Sequence, residues 1–88
     1  MGRYKVFIRT SASKELAAIP KKSLQKIVDR IRCLKENPRP VGCEKLSAQE
    51  RYRLRQGNYR IVYSIQDKEQ SIHIVKIGHR KEIYRYAG

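Results

Sequence analysis

Four arginines in the middle of the chain have the spacing of an anion-binding site. Three of them alternate with apolar residues, so in a β-strand their guanidinium groups project from one face. A turn at 56–58 would bring the fourth back beside them on the next strand. The four residues are Arg51, Arg53, Arg55 and Arg60. Because like charges across paired strands cost stability and arginine binds phosphate oxygens in pairs, the cluster favours a phosphate-binding surface over a merely solvated basic face.

A second group of reactive side chains follows the last predicted strand. Gly78 precedes His79 and Arg80, and Tyr84 comes shortly after them. Histidine exchanges protons near neutral pH, and a glycine lets the backbone bend or a ligand approach closely. Taken alone, these residues are equally consistent with a turn and solvated side chains. His73, inside the preceding strand, is interpreted as structural.

The acidic residues predict that any nuclease chemistry here proceeds without a metal or cofactor. They are scattered along the chain, and no His/Asp/Glu group has metal-ligand spacing. The chemistry that remains is RNA cleavage by attack of the 2′-hydroxyl on the adjacent phosphorus. A base takes the 2′-OH proton, arginines stabilise the phosphorane, and an acid protonates the leaving 5′-oxygen. DNA, which has no 2′-OH, would be spared.

Length and charge narrow the class of protein. The chain has 88 residues and a formal net charge of +13, which predicts a single domain over 1–88 that captures nucleic acid or an acidic partner. No apolar run approaches bilayer length and the N-terminal residues lack the apolar core of a signal peptide. We therefore expect no membrane association and a cytoplasmic location.

Hydrophobic periodicity predicts the elements that position these residues. A strand over 4–9 is followed by a short helix capped by Thr10 or Ser11, and Pro20 separates it from an amphipathic helix running from 21 to about 37. Period-two alternation then predicts strands over 51–56, 59–66 and 71–78. The predicted fold class is α+β: a two-helix hairpin packed on one face of a twisted, antiparallel, four-stranded sheet, in the order β-α-α-β-β-β. The arginines occupy the other face.

Three segments resemble the RelE toxins of bacterial type II toxin–antitoxin pairs, which belong to the RelE/ParE superfamily. They read KL at 45–46, YRLRQGNYRIVY at 52–63 and VKIGHRKEIY at 75–84. The predicted order of strands and helices also fits, so the resemblance covers nearly the whole chain. It implies a ribosome-dependent mRNA endonuclease that cuts the A-site codon by 2′-OH attack, leaves a 2′,3′-cyclic phosphate and so inhibits translation.

The resemblance also implies roles for individual residues. Arg60 and Arg80 would hold and neutralise the scissile phosphate, Tyr84 would stack on an mRNA base and transfer a proton, and His79 would act as acid or base. Ser47 stands where a well-known form of the family has arginine, so that cation is either missing here or supplied by Lys45 or Arg39. The implied RNA-binding residues are Arg51, Arg53, Arg55, Lys45 and Lys81.

The implied partners are the 70S ribosome with its mRNA and a RelB-like antitoxin whose C-terminal segment wraps the toxin. The toxin is expected to be a monomer alone and a hetero-oligomer with its antitoxin. Two alternatives stay open. A ParE-like toxin shares the fold and poisons DNA gyrase by binding, although such chains generally lack the pairing of Arg80 with Tyr84. A non-catalytic RNA- or ribosome-binding module is the other.

Overall fold

The strands of the molecule form a five-stranded sheet with the order β1-β5-β4-β3-β2. The computed structural model describes residues 3–46 and 51–81. Within them the elements are β1 (Lys5–Ile8), α1 (Thr10–Ala17), α2 (Lys21–Leu34), β2 (Cys43–Lys45), β3 (Tyr52–Gln56), β4 (Tyr59–Gln66) and β5 (Ser71–His79). The predicted α+β class is confirmed, as are the hairpin turns at 57–58 and 67–70.

Two features of the predicted sheet were wrong. The sheet has five strands rather than four, because Cys43–Lys45 adds a short edge strand antiparallel to β3. The sheet is also not wholly antiparallel, since β1 runs parallel to β5 along its full length. A three-residue strand is too short to display a period of two. The parallel pairing is possible because the helix hairpin and the earlier strands lie between β1 and β5 in the chain. The last strand of the meander can therefore pair with β1 in the same direction.

The helices differ from the prediction mainly at their ends. Helix α1 begins at Thr10 itself, with Arg9 as the extended N-cap residue and no side-chain capping bond among the described residues, so the predicted hydroxyl cap was wrong. Pro20 has the extended N-cap conformation before α2, which agrees with a ring that fixes φ near the helical value. Helix α2 ends at Leu34, earlier than predicted.

The core lies between the helix hairpin and one face of the sheet. Helix α2 contributes Ile27, Ile31 and Leu34, which recur at three- and four-residue intervals and are almost completely buried. The sheet side consists of Leu54, Ile61, Tyr63, Ile72, Ile74 and Ile77. The predicted inward orientation of the alternating apolar residues on β3 and β4 is therefore confirmed.

A carboxylate from α1 completes the edge of β5 beyond the end of β1. The parallel ladder stops at the pair Ile8 and Ile74. Farther along β5, the Ile77 N–H donates to Glu15 Oε1 at 3.0 Å, and the Lys76 ammonium pairs with the other oxygen of the same carboxylate. A backbone N–H left without a partner at a partly buried edge is costly, so Glu15 fixes the end of β5 that leads into Gly78.

A polar network joins the loop after α2 to the turn between β4 and β5. The Arg39 guanidinium donates to both carboxylate oxygens of Asp67, at 3.4 and 3.0 Å, and to the Tyr52 hydroxyl at 3.2 Å. The Tyr4 hydroxyl also donates to Asp67, at 2.8 Å. These hydrogen bonds hold the pKa of the Asp67 carboxyl below its usual range. In the part of the chain that the structure describes, no helix has the length and apolar character needed to cross a bilayer.

Candidate nucleic-acid interface

Arginines of β3 and β4 lie on the sheet face turned away from the core. Between these strands Arg55 is paired with Arg60, and Leu54 with Ile61. Leu54 and Ile61 are fully buried under the helices. Because side chains alternate along a strand, the neighbouring residues Arg53, Arg55 and Arg60 are directed to the opposite face. The strand register therefore places these three arginines on one face, which is the grouping that the sequence predicted.

The Arg60 guanidinium is held by the backbone of the turn between β3 and β4. Its Nη1 donates to the carbonyl oxygens of Gly57, at 3.0 Å, and Tyr59, at 2.9 Å. Gly57 has a positive φ of 59°, a conformation that most other residues avoid and that closes this two-residue turn. The turn therefore sets both the position of Arg60 and the direction of its guanidinium.

The electrostatic surroundings of Arg60 show which other cations are close. Partial burial lowers the pKa of Arg60, and the charges of Arg55, Arg53 and Arg80 lower it further, while Glu44 acts in the opposite direction. Arg80 is brought here through its backbone, whose N–H donates to the Asn58 carbonyl at 2.8 Å. The end of β5 thus delivers a fourth cation. We call Arg53, Arg55, Arg60 and Arg80 the arginine cluster.

One acidic side chain moderates the positive charge of this cluster. Glu44 on β2 is the register partner of Arg53 on β3, and its carboxylate lies 3.4 Å from the Arg53 guanidinium. The Glu44 side chain is largely exposed, so solvent screens the pair and its energetic contribution is small. The cluster keeps a positive excess suited to a bound phosphate.

The structure does not bring His79 to the arginine cluster. His79 is the register partner of Tyr59, and their rings meet edge to face with centroids 5.9 Å apart. Tyr59 packs against the core on the helix side of the sheet. A bulge at Val62/Tyr63 shifts the pairing of β5, so His79 and His73 lie on opposite faces although their positions in the strand differ by an even number.

The other predicted residues lie apart from the cluster or outside the described part of the chain. Lys45 shares a register position with Tyr52, on the helix side of the sheet. Lys81 is exposed, and its backbone N–H donates to His79 Nδ1 at 3.4 Å. Arg51 directly precedes β3 and lines a groove together with Phe7 of β1. Tyr84 and Ser47 lie outside the described residues.

A groove on the same face contains residues that the sequence reasoning missed. Its volume is about 480 Å³, and it is lined by Phe7, Ile8, Arg9, Arg51, Ser64, Gln66, His73 and Val75. The overlooked residues are Phe7 and Arg9. The alternation in the first strand was the available signal, because apolar residues at 4, 6 and 8 direct the odd-numbered ones away from the helices. In residues 3–46 and 51–81 no three metal-binding side chains come together.

A helix hairpin on one face of a mixed sheet, with arginines on the other, is the architecture of a family of bacterial toxins. Residues 6–84 match the family model described as the ParE toxin of the type II toxin–antitoxin system parDE. The chain therefore belongs to the RelE/ParE superfamily of type II toxins, as the sequence resemblance predicted. A comparison with curated proteins finds no match.

Solved structures of RelE toxins have the same fold. The RelE–RelB complex from Pyrococcus horikoshii is 30% identical, with a TM-score of 0.81 over 89% of this chain and 96% of that chain. The RelBE2 toxin–antitoxin complex from Mycobacterium tuberculosis is 26% identical, with a TM-score of 0.79 over 89% and 99%. The isolated RelE toxin from E. coli, 20% identical with a TM-score of 0.77 over 96% and 94%, shares the fold.

Proposed function

We propose that this toxin is a ribosome-dependent mRNA endonuclease that cuts in the ribosomal A site and thereby inhibits translation. The observation that carries the proposal is the arginine cluster, in which Arg55 and Arg60 are directly opposed and Arg80 joins them from the end of β5. A cluster of cations on the sheet face opposite the helices suits a negatively charged backbone whose charge increases in the transition state. No metal takes part in the proposed reaction.

In this mechanism the arginines act electrostatically. The 2′-oxygen forms a bond to the adjacent phosphorus while the bond to the 5′-oxygen breaks, giving a 2′,3′-cyclic phosphate and a 5′-hydroxyl. Arg60 and Arg80 bind the non-bridging oxygens and stabilise the phosphorane. A guanidinium carries five N–H donors, so Arg60 can bind phosphate through its other nitrogens while Nη1 keeps its bonds to the turn. Arg53 and Arg55 orient the RNA backbone.

The family resemblance assigns one of the two proton transfers beside the scissile phosphate to Tyr84. The 2′-OH loses a proton and the leaving 5′-oxygen gains one, so no net proton is consumed. An arginine is a poor proton acceptor because it stays protonated at any working pH. His79 packs on Tyr59 at the helix side of the sheet, so it receives no proton-transfer role in this proposal. Lys45, Lys81 and Arg51 contact RNA outside the cluster.

The proposed partners follow from the charge and from the relatives. Several matching structures are complexes of a RelE toxin with a RelB antitoxin. We propose a RelB-like antitoxin with acidic residues for the +13 chain, and a toxin that is monomeric alone and hetero-oligomeric with its antitoxin. The proposed substrate is mRNA on the 70S ribosome, so the toxin is proposed to act in the cytoplasm.

Cleavage of a defined mRNA on programmed 70S ribosomes, with free mRNA in parallel, tests the proposal. The expected product is a single A-site cut ending in a 2′,3′-cyclic phosphate. Loss of one transition-state contact in Arg60→Ala or Arg80→Ala should lower the cleavage rate about 100- to 1,000-fold. Arg32→Ala, at an exposed position of α2, is the matched control and should cleave normally. Full activity in the double variant of Arg60 and Arg80 contradicts the mechanism.

A ParE-like gyrase poison is the second candidate, because the matching family model is described as a ParE toxin. Inhibition of purified gyrase in a supercoiling assay, with translation unaffected, supports it. A binding-only module is distinguished by product chemistry, since it would bind RNA with strong salt dependence and leave the RNA intact.

A further inference from the structure

An exposed aromatic pair lies on the sheet face that carries the arginine cluster. Phe7 on β1 is the register partner of His73 on β5, and their rings stack with centroids 5.2 Å apart and planes 20° from parallel. Half of the Phe7 surface remains accessible. Ser71 Oγ lies 3.4 Å from His73 Nε2, which orients the imidazole beneath the phenyl ring. The pair presents a flat, partly open ring face.

Most residues around the pair are polar or cationic, and Ile8 and Val75 are the apolar residues among them. The pair lines the groove of about 480 Å³ together with Arg9, Arg51 and Ser64. A binding site for an apolar protein partner would have a wider exposed apolar patch. Flat rings bordered by guanidinium groups are instead the combination that binds single-stranded nucleic acid, where bases stack on aromatic side chains and cations follow the backbone.

The groove and the arginine cluster lie on the same face of the sheet. Ser64 and Arg60 both lie on β4 and point to the same face, four residues apart. At the rise of a β-strand they are separated by roughly 13 Å, a distance that single-stranded RNA spans in a few nucleotides. A strand bound at the cluster can therefore place a neighbouring base in the groove.

We infer that Phe7 and His73 form a stacking platform for a nucleobase of single-stranded RNA, a few nucleotides from the phosphate held by the arginine cluster. Arg9 and Arg51 bind the backbone beside that base. This inference rests on the proposed function and adds a second contact to it. Because stacking tolerates every base, the platform increases affinity and sets the register of the strand without selecting a sequence.

The chain offers a direct spectroscopic test because it contains no tryptophan. Phe7→Trp introduces a single tryptophan at the platform, which can be excited selectively over the tyrosines. The probes are short 2′-O-methyl oligonucleotides, which cannot be cut by 2′-OH attack, and a matched oligonucleotide of equal length whose base at the platform position is missing. We expect quenching of the tryptophan by the complete oligonucleotide and much weaker quenching by the abasic one.

Binding measurements on two further variants make the test independent of that fluorophore. Phe7→Ala should weaken binding of the complete oligonucleotide about 5- to 100-fold by anisotropy, the effect of losing one stacked base. It should leave binding of the abasic oligonucleotide unchanged. Phe7→Leu keeps an apolar side chain but has no ring, and should bind like Phe7→Ala. Unchanged melting temperatures establish that the variants are folded.

The outcomes separate the platform from the proposed reaction. Equal quenching by complete and abasic oligonucleotides, or wild-type affinity in Phe7→Leu, overturns the platform even if the wild-type protein cuts mRNA on ribosomes. Base-dependent quenching in a protein that never cleaves supports the platform and contradicts the nuclease. A third outcome would also overturn the platform. If Phe7→Ala keeps wild-type RNA affinity but no longer binds a RelB-like antitoxin, Phe7 contacts a protein partner and not RNA.

Discussion

Arg55 of β3 and Arg60 of β4 occupy directly opposed positions in the antiparallel ladder. The pKa of Arg60 is lowered by partial burial and then by the neighbouring arginine charges. Like charges facing each other across a sheet destabilise the fold, by an amount on the order of a few tenths of a kcal/mol for exposed pairs. The free protein therefore carries an electrostatic strain at this surface that a bound polyanion relieves.

Removing one charge of this pair should change protein stability and RNA affinity in opposite directions. Arg55→Gln is expected to raise the free energy of unfolding by a few tenths of a kcal/mol, because the repulsion disappears, while affinity for single-stranded RNA falls. Urea denaturation and anisotropy measure the two effects. Lys22→Gln, at an exposed position of α2, is the control for a general loss of charge. A destabilised Arg55→Gln with unchanged RNA affinity would show that the arginine is structural.

The salt dependence of RNA binding should report the size of the cluster. Each phosphate contact contributes about −0.7 to the slope of log affinity against log salt concentration for a single strand, so the four arginines of the cluster contribute about −3 to the total slope. Replacing Arg53 by alanine should make the slope less negative by about 0.7. Titrations of a 2′-O-methyl oligonucleotide at several salt concentrations measure it. A slope that is the same in wild type and variant would exclude Arg53 from phosphate contact.

Much of this architecture was predictable because local patterns and tertiary packing agree. The apolar stripe of α2 and the alternation on β3 and β4 define the core, and the same alternation places Arg53, Arg55 and Arg60 on the opposite face. Strand β2 was missed because three residues are too few to show a period. The parallel pairing of β1 with β5 was missed because it joins segments far apart in sequence.

The position of His79 depended on a feature that alternation alone does not reveal. The positions of His73 and His79 differ by an even number, so a regular strand would direct both to one face. The bulge at Val62/Tyr63 changes the register and turns His79 toward the helices. Phe7 was different, since the apolar residues on either side of it already indicated an outward orientation.

The position of His79 makes a prediction about catalysis. A general acid or base contributes about 100- to 10,000-fold to a rate, so His79→Ala should retain cleavage within a few-fold of wild type if His79 transfers no proton. Arg80→Ala, one residue away, should lose most of its activity. Single-turnover cleavage on programmed ribosomes compares the two variants. A loss in His79→Ala as large as that in Arg80→Ala, with the fold intact, would restore the histidine to the mechanism.

The contact between Arg39 and Asp67 should make stability depend on pH. The pKa of Asp67 is lowered in the folded protein by hydrogen bonds from Arg39 and then Tyr4, so the folded state favours the ionised carboxylate. Its stabilising contribution is complete above the ordinary carboxyl pKa of about 4 and is lost as the pH falls through the lowered folded value. Wild type should therefore be more stable than Asp67→Asn at pH 7, and the difference should shrink in acid.

Urea denaturation of the two proteins between neutral and acidic pH measures that difference. Glu69→Gln, in the same turn, is the control for removing a carboxylate there. A stability difference between wild type and Asp67→Asn that stays constant down to the lowest pH at which both fold would mean that the carboxylate charge is not what Arg39 stabilises.

The contact of Glu15 with β5 predicts a link between the helix hairpin and the arginine cluster. Glu15→Ala removes the acceptor of the Ile77 N–H and should cost about 1–2 kcal/mol of stability, as expected for a partly exposed bond to a charged acceptor. The Ile77 amide should exchange with solvent faster, because the end of β5 opens locally. Since that end carries Arg80, RNA cleavage should fall as well.

Glu15→Gln separates the hydrogen bond from the charge, because its amide oxygen still accepts from Ile77 while the ion pair with Lys76 is lost. Hydrogen exchange measured by NMR should show protection of the Ile77 amide close to wild type in Glu15→Gln and reduced in Glu15→Ala. If the Ile77 amide exchanges equally fast in both variants and faster than in wild type, the ion pair with Lys76 holds this edge. If both keep full protection and full activity, α1 does not position the cluster, and β4 alone suffices to align Arg80 with Arg60.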